Sequence, residues 1–192
     1  MRKMLFKVSL FLITLLLSIN VKANSINEID MDVYLDENGN AIIKEVWDAT
    51  LTSGTEGYRA FSKLEGKTIT DFKVTDEDGN VYKNVSYWNS KDSFNNKAYK
   101  SCFNYTSNGL ELCWGITNYG DRKYTLEYKI NNLVTQYTDN QGIYFKFINL
   151  SNNVGNARIT IHTDSELSFD NAKIWAFGNN GEINFTDGKI VY

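Results

Sequence analysis

Two cysteines, one histidine, and a Glu and an Arg set inside apolar runs are the positions where this sequence could do chemistry. Cys102 and Cys113 flank Thr106-Ser107-Asn108-Gly109, which reads as a hairpin turn. A loop at 106–109 pairs Tyr105 with Leu110, and antiparallel pairing then keeps paired numbers at a sum of 215, which 102 and 113 satisfy. Cross-strand neighbours stand ~4.5–5.5 Å apart at Cβ, against a preferred disulfide value of ~3.8 Å. A non-hydrogen-bonded pair is the closer kind and can be bridged, so the expectation is a structural disulfide between Cys102 and Cys113. The chain-entropy model gives such a bridge about 3 kcal/mol before strain. A redox pair or metal site is the rival reading. The spacing is not Cys-x-x-Cys, and the only histidine, His162, lies in a strand-like run.

Glu45 lies in Ile43-Lys44-Glu45-Val46-Trp47 and Arg59 in Gly57-Tyr58-Arg59-Ala60-Phe61. The expectation is a structural ion pair, partly buried, that fixes the crossing of the first hairpin against the next loop. Breaking such a pair costs more than making it gains.

Other constellations are weaker. Asp36-Glu37-Asn38-Gly39 and Asp76-Glu77-Asp78-Gly79 set oxygen ligands beside a glycine. A calcium loop also needs spaced ligands and a distant Glu, whereas hairpin turns favour these same residues. A glycosidase needs two carboxylates facing across a cleft, and none of the 23 acids is singled out by context. There is no Gly-x-Ser-x-Gly elbow and no phosphate-cradling glycine loop. No catalytic, cofactor-binding or metal-ligating residue is assigned. Trp88, Trp114 and Trp175 are candidate binding aromatics, because Trp is favoured at hot spots; the alternative is that they fill a core.

The elements that must position these residues are strands. From Ser25 onward nearly every segment alternates apolar and polar, as in Ile29 to Leu35, and the turns use Gly, Asn and Asp in a chain without proline. Expected strands include 69–75, 81–88, 99–105, 110–116, 124–130, 142–148, 157–162, 173–177, 182–185 and 189–192, with a polar loop over 89–96. About a dozen short strands imply an all-β antiparallel sandwich.

Residues 1–23 differ from the rest. Arg2, Lys3 and Lys7 precede an apolar run from Val8 to Ile19, and Val21-Lys22-Ala23 ends in small-x-small fashion. The expectation is a secretory signal peptide cleaved after Ala23, with an uncleaved membrane anchor as the alternative; the run is shorter than the ~20 residues of a bilayer span. Cleavage leaves 16 bases and 23 acids, a net charge of −7. This argues against nucleic acid and anionic lipid as partners. The expected domains are therefore 1–23, signal peptide, and 24–192, an extracytoplasmic β-sandwich.

The same residues carry a resemblance. Ile29 to Leu35, the turn Asn38-Gly39-Asn40, Ile43-Lys44-Glu45 and then Gly57-Tyr58-Arg59 open the chain. Leu110 to Gly115, with its Trp114-Gly115, Tyr124 to Ile130, and Trp175-Ala176-Phe177-Gly178 to Asp187-Gly188 follow. In order and spacing the chain resembles the extracytoplasmic N-terminal domain of the YciQ-like predicted membrane proteins of bacteria, domain-of-unknown-function family 2207, over nearly all of residues 25–192. Members usually carry a proline after the Arg element, and many continue into a transmembrane helix and a Gly-rich tail. Neither is present here, which implies a soluble member or an ectodomain alone. The resemblance implies location and fold class and supplies no catalytic residues or cofactor.

The expected function is a non-catalytic extracytoplasmic binding or interaction domain of the bacterial cell envelope, with an envelope protein or glycan as partner. A glycan-binding module using exposed aromatics is the alternative, and an envelope hydrolase comes third. No membrane span is expected in the mature chain.

Overall fold

The computed structural model describes residues 23–149, 154–177 and 181–192; the expected signal peptide lies, apart from Ala23, outside them. The period-two pattern becomes a one-sided burial pattern. In β1 (Ser25–Leu35) and β2 (Ala41–Leu51) the buried residues are Ile29, Met31, Val33, then Ala41, Ile43, Glu45, Trp47 and Ala49. Most of their outward neighbours, Asp30, Asp32, Lys44, Asp48 and Thr50, are polar, so the other face of the hairpin is the one that must be covered.

Two acidic stretches build the same turn. Asp36 Oδ1 accepts the backbone N–H groups of Asn38 and Asn40, both at 2.9 Å, and Gly39 takes a positive φ of 76°. At the end of β4 (Thr68–Asp76), Asp76 Oδ1 accepts from Asp78 at 3.1 Å and Asn80 at 2.9 Å, with Gly79 at a φ of 81°. A short carboxylate closing on amides two and four residues ahead is what Asp contributes to turns. Both carboxylates are thereby engaged by the chain itself.

A seven-stranded sheet has the order β12-β13-β11-β1-β2-β8-β4, where β8 is Gly120–Asn131, β11 Val154–His162, β12 Asn184–Thr186 and β13 Lys189–Val191. A four-stranded sheet has the order β3-β7-β6-β5, from β3 (Glu56–Phe61), β5 (Lys83–Asn84), β6 (Lys100–Thr106) and β7 (Gly109–Gly115). β9 (Thr135–Gln136) and β10 (Gln141–Gly142) form a small ribbon. The two larger sheets meet face to face. Trp47 meets Trp114 at 5.4 Å between ring centroids, Phe61 meets Tyr128 at 5.6 Å, and Phe72 meets Phe103 at 5.7 Å. Each such side chain withdrawn from water contributes about 1.5–3 kcal/mol.

Three expectations need correction. The sheets are mixed rather than wholly antiparallel: β1 runs parallel to β11, and β5 parallel to β6. Parallel neighbours need a long crossover, and the connection from β8 to β11 provides the first one. Second, the expected strand 81–88 is mostly an excursion. Val81 bridges back to Thr75 and the Tyr82 N–H donates to the Val74 carbonyl at 2.9 Å, after which only Lys83 and Asn84 pair, with β6. The chain then lays Val85 and Trp88 over Cys102 and Cys113, and a four-residue helix, α1 (Phe94–Lys97), capped by Ser93, stands in the expected polar loop. Covering the outer face of β7 outweighs extending the ladder, and Leu112 through Thr117 are consequently all buried. Third, 143–148 and 173–177 are not strands. The former is a strap whose Ile143, Phe145, Phe147 and Ile148 pack on the core.

Candidate functional site

The inward face of β2 carries an acid where the pattern calls for an apolar residue. Glu45 is fully buried, facing Arg59 of the opposite sheet, which is 1% exposed. Arg59 Nε donates to Glu45 Oε1 at 3.1 Å, and Trp47 Nε1 donates to Glu45 Oε2 at 2.6 Å. The Tyr128 hydroxyl donates to Glu45 Oε1. Arg59 also donates to the backbone carbonyls of Ala60 and Phe147 and lies 4.6 Å over the Phe61 ring. Four elements therefore meet at one ion pair: β2, β3, β8 and the 143–148 strap. Burial works against the Arg59 charge, but Glu45 and Tyr128 beside it more than compensate and hold its pKa above the ordinary value. Burial, then Glu45, pushes the Tyr128 phenol well up.

A second buried charge has no signal in the sequence. Lys97, on α1, is 2% exposed. Its Nζ donates to Glu56 Oε2 at 2.6 Å, Thr55 Oγ1 at 2.9 Å and the Ser90 carbonyl at 2.7 Å. Trp88 Nε1 donates to the same Glu56 oxygen at 2.7 Å. This lock holds the excursion over the small sheet, and Gly115 permits it, because a Cβ there would overlap the Lys97 carbonyl. Residues 89–96 read as polar loop with Lys97 at its end, and only the packed fold reveals the lysine's burial.

Cys102 and Cys113 are directly opposed in the β6–β7 ladder, with Thr106 paired to Gly109 around a two-residue turn. The structure places no bond between them and so does not support the expected disulfide. Directly opposed ladder positions hold Cβ atoms ~4.5–5.5 Å apart, farther than the ~3.8 Å a bridge prefers. Burial pushes the Cys102 thiol pKa up, and burial, then Glu111 and Glu56, raises that of Cys113.

His162 sits on the outward face of the large sheet. Its Nε2 is 2.6 Å from Asp32 Oδ1, and its ring stacks on Tyr34 at 4.2 Å and 17°. The parallel β1–β11 register brings these three together, and β1 and β11 are too far apart in sequence for spacing to show it. Among the described residues no cluster of three or more His, Cys, Asp or Glu could hold a metal ion.

The three singled-out tryptophans do not share a face. Trp114 and Trp88 are buried, at 2% and 8% exposure, whereas Trp175 is 71% exposed. Trp114 projects from β7 into the core because it shares a face with Leu110 and Leu112, and Trp88 roofs the cysteines. They cannot form one exposed platform with Trp175.

A search of curated proteins finds no match. Among solved structures, a candidate protease from Parabacteroides distasonis superposes with a TM-score of 0.38 at 11% identity. The superposition covers 88% of this chain and 35% of that one, so this chain spans about a third of that protein. Among the described residues no helix is long and apolar enough to cross a membrane, which leaves β-barrels unaddressed. The model of the family described as "Predicted membrane protein (DUF2207) N-terminal domain" matches residues 25–191, and the chain belongs to that family.

Proposed function

We propose that this chain is a non-catalytic, extracytoplasmic interaction domain of a bacterial envelope protein. The observation that carries the reading is the segment between β11 and β12, where Phe169, Trp175 and Phe177 are 74%, 71% and 87% exposed. Phe169 is steadied by a ring contact to Phe185 of the short edge strand β12 at 4.4 Å. Exposed aromatics concentrated in one segment are the usual mark of a contact surface. The state of the buried carboxylates supports a non-catalytic role. Among the described residues, Glu45 and Asp76 are the buried acids. The first is engaged by Arg59, Trp47 and Tyr128 and the second by turn amides, so both act as parts of the scaffold.

The test is photocrosslinking in producing cells, with a benzoylphenylalanine placed at Trp175 and, separately, at Tyr105, which is 76% exposed on the opposite sheet's hairpin. A discrete adduct at 175, missing at 105 and competed away by unlabelled parent protein, supports the reading. Equal, diffuse labelling at both positions removes it. The intact mass of the same material reports the N-terminus, and a chain beginning at Asn24 fits export.

A further inference from the structure

The chain holds four Asn-x-Ser/Thr triplets, beginning at Asn84, Asn104, Asn149 and Asn184. Such a triplet is the acceptor pattern for an N-linked glycan, and the fold treats the four differently. Asn84 lies in β5, where its Nδ2 donates to the Phe72 carbonyl at 3.3 Å. Asn104, in β6, donates to Glu111 Oε2 of β7 at 2.8 Å. Asn149 is half-buried, and the rest of its triplet lies outside the described residues. Asn184 opens β12, is exposed, and makes no side-chain hydrogen bond among the described residues.

The neighbouring residues separate it further. Two positions before the asparagine stand Tyr82, Cys102 and Phe147 in the first three triplets, and Glu182 in the fourth. From Glu182 to Thr186 exposed and half-buried residues alternate, as successive strand side chains do. Glu182, Asn184 and Thr186 therefore form one exposed row, and Phe185 points the other way, onto Phe169. Neither Glu182 nor Thr186 is held by a side-chain hydrogen bond or ion pair among the described residues. A carboxylate, an amide and a hydroxyl thus stand in line with their bonding capacity unused by the fold. The row is also easy to lift. β12 is an edge strand joined to the sheet by three residue pairs with β13, and short exposed edges open locally at little cost.

We propose that Asn184 is the acceptor of an N-linked oligosaccharide, added by an envelope oligosaccharyltransferase with a basic subsite for Glu182 and a hydrogen-bonding subsite for the Thr186 hydroxyl. Asn184 Nδ2 attacks C1 of the reducing-end sugar of a polyprenyl-diphosphate-linked oligosaccharide. The C1–Nδ2 bond forms and the C1–O bond to the diphosphate breaks. The polyprenyl diphosphate leaves with the electron pair, and Nδ2 gives one proton to a base of the enzyme. Nothing is oxidised or reduced. Glu182 is the selecting feature, because a charge-assisted contact is about twice as strong as a neutral one and the other three triplets have no acid at that position. A glycan on Asn184 stands on the face of β12 away from Phe169, so it leaves the Phe169–Phe185 contact in place. The assignment rests on the extracytoplasmic part of the reading above and not on the contact surface at 169–177.

The test supplies the enzyme and the donor. The folded full chain is incubated with a purified single-subunit bacterial oligosaccharyltransferase and a polyprenyl-diphosphate-linked oligosaccharide, and the product is read by intact mass and peptide mapping. The expected result is one glycan per chain, on Asn184. Glu182→Gln and Thr186→Val, both at exposed positions, should each slow transfer on the order of tenfold or more, the worth of one hydrogen bond to a charged or fixed partner. No transfer, transfer to Asn84, Asn104 or Asn149 instead, or equal transfer to Glu182→Gln overturns the proposal. Chain recovered from the producing cells separates this site from export. A chain that begins at Asn24 and carries the glycan supports both. One that begins at Asn24 with an unmodified Asn184 overturns the site and leaves export standing, and one that keeps residues 1–23 with an unmodified Asn184 removes both.

Discussion

Gly57 and Trp114 are partners across the β3–β7 ladder, and the indole occupies the space a side chain at 57 would need. The contact is with the ring's fused edge, which is rigid and buried, so it cannot swing aside as a flexible chain end would. Gly57→Ala should therefore destabilise the fold by about 1–3 kcal/mol, the usual cost of overpacking. It should also red-shift tryptophan emission as the Trp114 ring is displaced. Chemical denaturation monitored by fluorescence reads both. A variant with the parent midpoint would mean the indole has room to move.

The Glu45–Arg59 pair makes a larger prediction. Arg59→Ala leaves a carboxylate with no counterion in the middle of the sandwich and releases the Phe147 carbonyl. Removing one partner of a buried pair costs about 3–5 kcal/mol. Replacing both, as Glu45→Leu with Arg59→Met, should recover much of the loss, because no charge is then stranded. Thermal melts of the three proteins test this, and an Arg59→Ala variant melting with the parent would sink it.

Period-two alternation made the principal strands legible, and the sum rule of 215 is the observed β6–β7 register. Both follow from local geometry. Charge inside apolar runs drew notice to Glu45 and Arg59 for a similar reason: the neighbours that make a charge conspicuous are adjacent in sequence. The partners that complete the network are not. Tyr128 sits in an ordinary alternating strand, and the Phe147 carbonyl belongs to a strap that reads as a strand. Lys97 was invisible for the same cause, since its burial comes from Thr55, Glu56 and Ser90. The parallel pairing of β1 with β11 follows the long connection from β8 to β11, and alternation carries no information on strand direction.

The roof over Cys102 and Cys113 predicts slow chemistry at both thiols. Burial raises their pKa values, and the thiolate is the reactive form. Folded protein at pH 8 should take up iodoacetamide at least about tenfold more slowly than protein in denaturant. Trp88→Ala should restore much of the rate by opening the cover. Intact mass after timed alkylation reports the outcome. Fast labelling of the folded parent would mean the excursion opens readily.

Three tyrosines give the molecule a weakness at high pH. Burial first, then Glu45, raises Tyr128, while Tyr82 and Tyr124 are raised chiefly by burial. In the unfolded chain a tyrosine ionises near ~10. Below that value both states hold the phenolic proton and stability is unaffected. Above it the unfolded chain releases protons that the folded one retains, so unfolding becomes progressively easier. The denaturation midpoint should be flat from about pH 7 to 9 and fall as pH rises through 10 and beyond. Absorbance near 295 nm should show these three of the 12 tyrosines ionising only with unfolding. Tyr128→Phe should soften the alkaline fall, yet lower stability at neutral pH by about 1–3 kcal/mol, because Glu45 loses a donor it cannot replace inside the core. A midpoint that stayed level to pH 11 would mean the phenols ionise in place, with water reaching the centre of the sandwich.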